Sequence, residues 1–181
     1  MVKMPDGSQG SGVHYYKDGK RSLVLTAAHV VEPFPAGTGV NLWGVGLYGE
    51  HVEATAFVKK VGDQNNVDLA VLECPPLGSI PVPISKKGPW LPSQGDTLLS
   101  VGYPKGIYPP LVTLGYAVQM DGLYLDHTAS VWFGNSGGPV VNTSLEVVGI
   151  NVLVGGCEGG AHSDKVRAIR LSFIKDFVKG V

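Results

Sequence analysis

Along this chain, short apolar runs rich in Val, Leu, Ile and aromatic residues alternate with clusters of Gly, Pro, Asp and Lys. Runs of that length, bounded by turn formers, predict strands rather than helices. The candidate strands are Gly12–Tyr16, Ser22–Thr26, Val40–Trp43, Val52–Val61, Leu69–Glu73, Thr97–Gly102, Leu111–Gln119, Leu123–Thr128, Gly138–Val141, Val147–Leu153 and Val166–Leu171. Turns fall at Lys17-Asp18-Gly19, Gly62-Asp63, Lys86-Lys87-Gly88-Pro89 and Asp121-Gly122. Only the terminal stretch Ser172–Lys179 changes period: Phe173, Ile174, Phe177 and Val178 form one helical apolar face, and Ser172 stands where an N-cap belongs.

Composition supports an all-β chain, since 26 Gly and 13 Pro supply its many turns. The apolar fraction, 44% against 16% charged, is that of a soluble globular protein. Fourteen basic and fifteen acidic residues give a net charge of −1, and Lys59-Lys60 and Lys86-Lys87 are too small for a polyanion patch, so neither nucleic acid nor a membrane surface is an expected partner. No apolar run reaches the ~18 residues of a membrane span. Residues Met1–Gly7 lack the apolar centre of a secretory signal. Either the protein stays where it is made, in the cytoplasm if the chain is full length, or the sequence begins at a mature domain. Its 181 residues suit one domain built of two small halves, 10–84 and 95–171, joined by the Pro- and Lys-rich linker Pro81–Ser93 and followed by the helix.

Cys74 closes an apolar run and reads as a small buried hydrophobe, while Cys157 lies in a glycine-rich loop as an exposed thiol; a bridge between them is the alternative. Neither they nor His14, His51, His127 and His162 make a metal-ligand spacing, so no metal or cofactor is expected. The four histidines read as surface or structural, with His127 or His162 at the pocket as the alternative. Asp63 and Asp126 read as turn and edge residues, and Trp43, Trp90 and the tyrosines as core or rim packing.

Three segments carry chemistry: Leu25-Thr26-Ala27-Ala28-His29, Asn66-Val67-Asp68-Leu69-Ala70, and Gly134-Asn135-Ser136-Gly137-Gly138-Pro139. A serine hydroxyl attacks a carbonyl only when a base takes its proton, and histidine titrates near the working pH. A carboxylate within an apolar run needs a partner, and an imidazole is one. Glycines around a serine let the chain turn tightly and aim N–H groups at a developing oxyanion. The order His29, Asp68, Ser136, with a strand-like run after Pro139, opposes an α/β-hydrolase elbow, where serine comes first and a helix follows.

In these three segments and their order, the chain resembles the chymotrypsin-fold serine proteases, most of all the HtrA/Deg branch. Gly10-Ser11-Gly12-Val13, Gly95–Pro104, Thr113–Val118 and Val148-Gly149-Ile150-Asn151 extend the likeness from about Gly10 to Phe177. The resemblance implies two antiparallel six-stranded β-barrels with a C-terminal α-helix, polypeptide substrates, and His29, Asp68 and Ser136 as a catalytic triad. It also implies an oxyanion hole from the Gly134 and Ser136 N–H groups, a substrate strand Asn151, Val152, Leu153, and pocket walls at Ser130, Val131, Trp132 and Phe133. Val152 replaces the hydroxyl residue common on that strand, Trp132-Phe133 replaces Asn-Pro, and no PDZ-like segment follows. Asn135 replaces the aspartate that pairs with a new N-terminus in digestive relatives, so no zymogen cleavage is expected, and Trp132 and Phe133 are candidates to hold the loop. Thr128, Ala129, Ser130 and Val131 bear no acid, which predicts an uncharged residue before the scissile bond unless Arg167 points inward. A competent endopeptidase and a silent peptide-binding relative stay open, as do a quality-control role and a viral or phage processing role.

Overall fold

The computed structural model describes residues 1–32, 34–46, 48–63, 66–86, 92–154 and 166–181. In chain order the first half holds β1 (Val2–Lys3), β2 (Gln9–Gly10), β3 (Val13–Lys17), β4 (Ser22–Thr26), α1 (Ala28–Val31), β5 (Gly39–Val45), β6 (His51–Val61) and β7 (Ala70–Cys74). The second half holds β8 (Thr97–Gly102), a 3-10 turn (Pro104–Gly106), β9 (Leu111–Asp121), β10 (Tyr124–His127), β11 (Pro139–Val141), β12 (Val147–Val154), β13 (Val166–Arg170) and α2 (Leu171–Val178). The predicted strands Ser22–Thr26 and Thr97–Gly102 coincide with β4 and β8, and the others shift by a few residues at their ends.

The second half closes as a six-stranded barrel in the order β10-β13-β12-β11-β8-β9. The first half differs from a closed six-stranded barrel: it is a seven-stranded sheet, β2-β1-β5-β6-β7-β4-β3. Its edge strands β2 and β3 are separated in sequence by Ser11 and Gly12 alone, so the sheet must curl until its edges meet. Gly12 lies at that meeting point, where a Cβ would press on Val24 and Leu25 of β4 and on Val2 of β1. The extra strands β1 and β2 are two residues long, too short to show alternation in the sequence.

Alternation along the second-half strands divides the apolar residues between two cores. Leu98, Leu125, Val140, Val148 and Ala168 fill the barrel. Val141, Ile150 and Ile169 point outward and join the Leu23–Leu25 and Leu69–Leu72 runs of the first sheet in one continuous cluster. Both halves therefore exclude water from one shared interface. Cys74 is buried in the same cluster and free, while Cys157, His162 and Trp90 lie outside the described residues. Trp43 is a rim residue, edge-on to His51, and His14 bonds Ser79 Oγ at 2.8 Å. The linker begins as a paired segment: the Val82 N–H donates to the His14 carbonyl, and Ile84 bridges Val147 in parallel.

Helix α2 begins one residue earlier than predicted, with Arg170 rather than Ser172 as its N-cap and without a side-chain cap bond. The extended chain of β13 runs straight into it, and the Arg170 guanidinium covers the Phe173 ring at 5.2 Å. Its far end is tied to the first sheet, where Lys60 Nζ donates to the Phe177 carbonyl at 2.6 Å and lies 4.5 Å above that ring. Asp126 is not an edge residue: its buried carboxylate meets Arg167 Nε at 3.2 Å and accepts from Gln119 at 3.0 Å.

Two glycines separate close packing from open turn. A Cβ at Gly115 in β9 would run into the Ala129 backbone nitrogen, whereas one at Gly19 meets nothing within 4 Å. Gly115→Ala should therefore destabilise by on the order of 1–3 kcal/mol. Gly19→Ala should be neutral or stabilise by about 0.4–1 kcal/mol through the unfolded chain. Urea unfolding of both variants checks this; equal midpoints would refute the packing at Gly115.

Candidate active site

Strands β4 and β7 are antiparallel neighbours with Thr26 opposite Ala70. His29 lies three residues beyond Thr26 and Asp68 two residues before Ala70, so both leave the same end of the same strand pair. Ala27 and Ala28 are fully buried, and their small side chains let the short α1 turn seat against the sheet. Asp68 then holds His29 twice: Oδ1 accepts the His29 backbone N–H at 2.9 Å, and Oδ2 lies 2.6 Å from Nδ1. A carboxylate accepts only, so a neutral His29 carries its proton on Nδ1 and leaves the Nε2 lone pair free. Asp68 is buried while His29 stays partly exposed, so the pair presents its basic nitrogen to the cleft.

Ser136 arrives from the second half on the loop between β10 and β11. Gly134 and Gly137 flank it at φ +99° and +84°, a left-handed region that penalises side chains. A Cβ at Gly137 would run into Thr26 Oγ1 and the Ser11 carbonyl, so this turn rests directly on the strand that leads to His29. The Ser136 carbonyl accepts the Ser11 N–H at 2.8 Å. Among the described residues, Ser136 Oγ makes no hydrogen bond to the imidazole.

Three carbonyls set the orientation of this loop. Phe133 accepts from the Lys105 N–H at 2.7 Å, Gly134 from Ser11 Oγ at 2.6 Å, and Asn135 from the Gly138 N–H at 2.8 Å. In a planar trans peptide, C=O and the following N–H point in opposite directions. Pinning the carbonyls of Phe133 and Asn135 therefore turns the Gly134 and Ser136 N–H groups the other way, and among the described residues neither finds an acceptor. The intervening Asn135 N–H is used, donating to the Trp132 carbonyl at 2.9 Å.

Trp132 and Phe133 do not clamp the loop. Their side chains are 54% and 77% exposed, T-stacked on one another, with Lys105 Nζ 5.1 Å from the Trp132 ring. Ser11, which in the sequence stands out only as part of the Gly10-Ser11-Gly12-Val13 motif, supplies the grip, and its exposure is 1%. Its Oγ also accepts the Tyr103 N–H at 2.9 Å. Ser130 and Val131 lie on the same loop, the Ser130 carbonyl accepting from Thr113 Oγ1 at 2.7 Å. Asn151 and Val152 are buried, and Leu153 continues β12 opposite Arg167. The Asn151 main chain bonds the serine loop twice just after Ser136, accepting from Gly137 N–H at 2.7 Å and donating to the Gly138 carbonyl at 2.9 Å. Arg167 is held by Asp126 and Asp121 and covers the Tyr124 ring at 5.0 Å, so its charge is already engaged.

A closed barrel packed on a curled sheet, with a paired histidine and aspartate carried by the sheet and a glycine-flanked serine by the barrel, is the arrangement of the trypsin-like class. The model of the Trypsin-like peptidase domain matches residues 10–150. The chain belongs to that family. It is 33% identical to the Serine protease Do-like HtrB of Bacillus subtilis over 159 residues, covering 79% of this chain and 32% of that protein. It is 30% identical to the human Serine protease HTRA3 over 190 residues, covering 95% and 40%. The crystal structure of a serine endoprotease from Yersinia pestis superposes with a TM-score of 0.74 at 27% identity, over 97% of this chain and 59% of that one. The chain thus spans about a third to two fifths of the curated relatives it matches.

Ser11→Ala removes the partner of both the Gly134 carbonyl and the Tyr103 N–H, and should cost at least about 1–3 kcal/mol for leaving buried groups unpaired. Ser8→Ala, at an exposed turn, should change stability by less than about 0.5 kcal/mol. Chemical denaturation distinguishes them, and equal stabilities would remove Ser11 from its structural role.

Proposed function

We propose that the chain is a serine endopeptidase domain, residues 1–181, in which His29 is the general base, Asp68 its orienting carboxylate and Ser136 the nucleophile. The observation that carries the proposal is the double Asp68–His29 contact opposite a serine loop with two unengaged N–H groups. Ser136 Oγ attacks the scissile carbonyl as its proton passes to His29 Nε2. The new oxyanion takes hydrogen bonds from the Gly134 and Ser136 N–H groups. The imidazolium, stabilised by Asp68, returns the proton to the leaving amine, and the C–N bond breaks. Water, deprotonated by His29, then releases the acyl group and restores the serine. The serine–histidine hydrogen bond forms with substrate bound, as such bonds commonly tighten in the Michaelis complex.

The Do-like HtrB and HTRA3 relatives favour a role among HtrA-type serine proteases, acting on polypeptides in quality control, over a viral or phage processing role. With Arg167 engaged by two aspartates, its charge is not free to meet the residue before the scissile bond, and we infer an uncharged preference there. A peptide-library profile dominated by Lys, Arg, Asp or Glu would contradict it.

Ser136→Ala should keep the fold and lower turnover on the order of 10⁴–10⁶-fold. Asp68→Asn should lower it about 10⁴-fold by allowing the wrong imidazole tautomer. A fluorophosphonate should label the parent protein and not Ser136→Ala. Near-normal peptide cleavage by either variant, or an unlabelled parent, would overturn the assignment.

A further inference from the structure

His127, at the end of β10 in the second barrel, is fully buried. Its Nε2 lies 2.9 Å from Asn151 Oδ1. The other end of that amide, Nδ2, is 2.9 Å from Ser100 Oγ and 3.3 Å from the Gly138 carbonyl. A carbonyl only accepts, so the NH2 end of Asn151 faces Gly138 and the amide oxygen faces His127. An amide oxygen also only accepts, so His127 Nε2 carries a proton. In the neutral ring Nδ1 is then a bare lone pair, and it is buried without a partner. A second proton there would create a buried donor with no acceptor. The strand partners opposite His127 are Ala117 and Val166, which carry no charge. Burial lowers the His127 pKa and outweighs both the hydrogen bond to Asn151 and the charge of Asp126, which is itself engaged by Arg167 and Gln119.

We propose that His127 is a positioning residue: as a neutral Nε2–H donor it locks the Asn151 amide, and through Asn151 it holds the Gly137–Gly138 backbone that carries Ser136. The inference rests on Ser136 being the nucleophile. Asn151 contacts this short segment through its backbone N–H, its carbonyl and its side chain, so one residue sets the exit of the serine turn. Without the His127 donor, Oδ1 is buried unpaired and the amide can rotate, which frees the Gly138 carbonyl from its side-chain bond. The motion falls on the turn next to the nucleophile and leaves the exposed pocket walls untouched, so it acts on the chemical step rather than on substrate binding.

Three substitutions test this. His127→Leu removes the donor, His127→Gln places an amide nitrogen where Nε2 was, and His127→Asn places one only where Nδ1 was. The expected result is a fall in kcat of about 10–100-fold for Leu and Asn at unchanged KM, with a parallel loss in fluorophosphonate labelling rate, and recovery to within about threefold of the parent for Gln. The Gln and Asn variants carry the test if Leu does not fold. A kcat within about twofold of the parent for both Leu and Asn, a loss confined to KM, or a Gln variant as slow as Asn would overturn the inference. Ser136→Ala is assayed beside them. If it still turns over, or the parent is not labelled, the nucleophile assignment falls and this inference with it. If Ser136→Ala is silent while Leu and Asn keep full rate, only this inference falls.

Discussion

The serine loop and both halves of the molecule depend on the buried residue Ser11, because its N–H and hydroxyl are spent across the seam and its carbonyl on the strand that leads to His29. Its N–H goes to the Ser136 carbonyl, its carbonyl to Thr26 Oγ1 at 2.7 Å, and its hydroxyl donates to Gly134 while accepting from Tyr103. A hydroxyl can donate and accept at once, which a cation or a carboxylate cannot. Its small size matters too, since Gly10 and Gly12 on either side are pressed against Val30, the Ser136 carbonyl, Leu25 and Val2. One uncharged residue thus joins the curled edge of the first sheet, the 3-10 turn after β8 and the loop that carries Ser136. No buried ion has to be desolvated to do it.

The two parts of the candidate site have different origins in the fold. His29 and Asp68 belong to one strand pair, so the first sheet presets their contact whatever the serine loop does. Ser136 is held by residues distant in sequence: Ser11, Thr26, Lys105 and Asn151. The shared apolar cluster and the Lys60–Phe177 tie of α2 fix the first sheet and the barrel against each other at the scale of whole elements. Hydrogen bonds then set the loop at the scale of single peptides. A perturbation of the seam consequently reaches the serine and its N–H groups before it reaches the histidine–aspartate pair.

Much of this was legible in the sequence for a physical reason. Strands of five or more residues between turn formers announce themselves by side-chain pattern, and the His29, Asp68 and Ser136 segments each combine a reactive group with small or apolar neighbours that have few other uses. What escaped was set by contacts without a local signature. The strands β1 and β2 are too short for a period, and α1 is a single turn. Arg170 caps α2 by backbone continuity with β13, and Ser172, a cap residue by type, lies inside the first turn instead. Asp126 resembles an edge residue until Arg167 on the neighbouring strand is seen to meet it. Ser11 and Lys105 act through backbone and hydroxyl geometry that only the folded loop reveals.

Asn135 shows how the loop manages without the ion pair of digestive relatives. Its side chain is buried against Gly102, where a Cβ would collide with Oδ1, and that oxygen has no hydrogen-bond partner. A carboxylate in the same place would be a buried charge without a cation and would cost far more than the neutral amide. The amide therefore serves as packing, and orientation is delegated to the three pinned carbonyls of Phe133, Gly134 and Asn135. Each of those bonds is between neutral groups and each comes from the folded chain itself. The N–H groups of Gly134 and Ser136 are consequently oriented by bonds within the folded chain, which meet the rest of the molecule at Ser11 and Lys105.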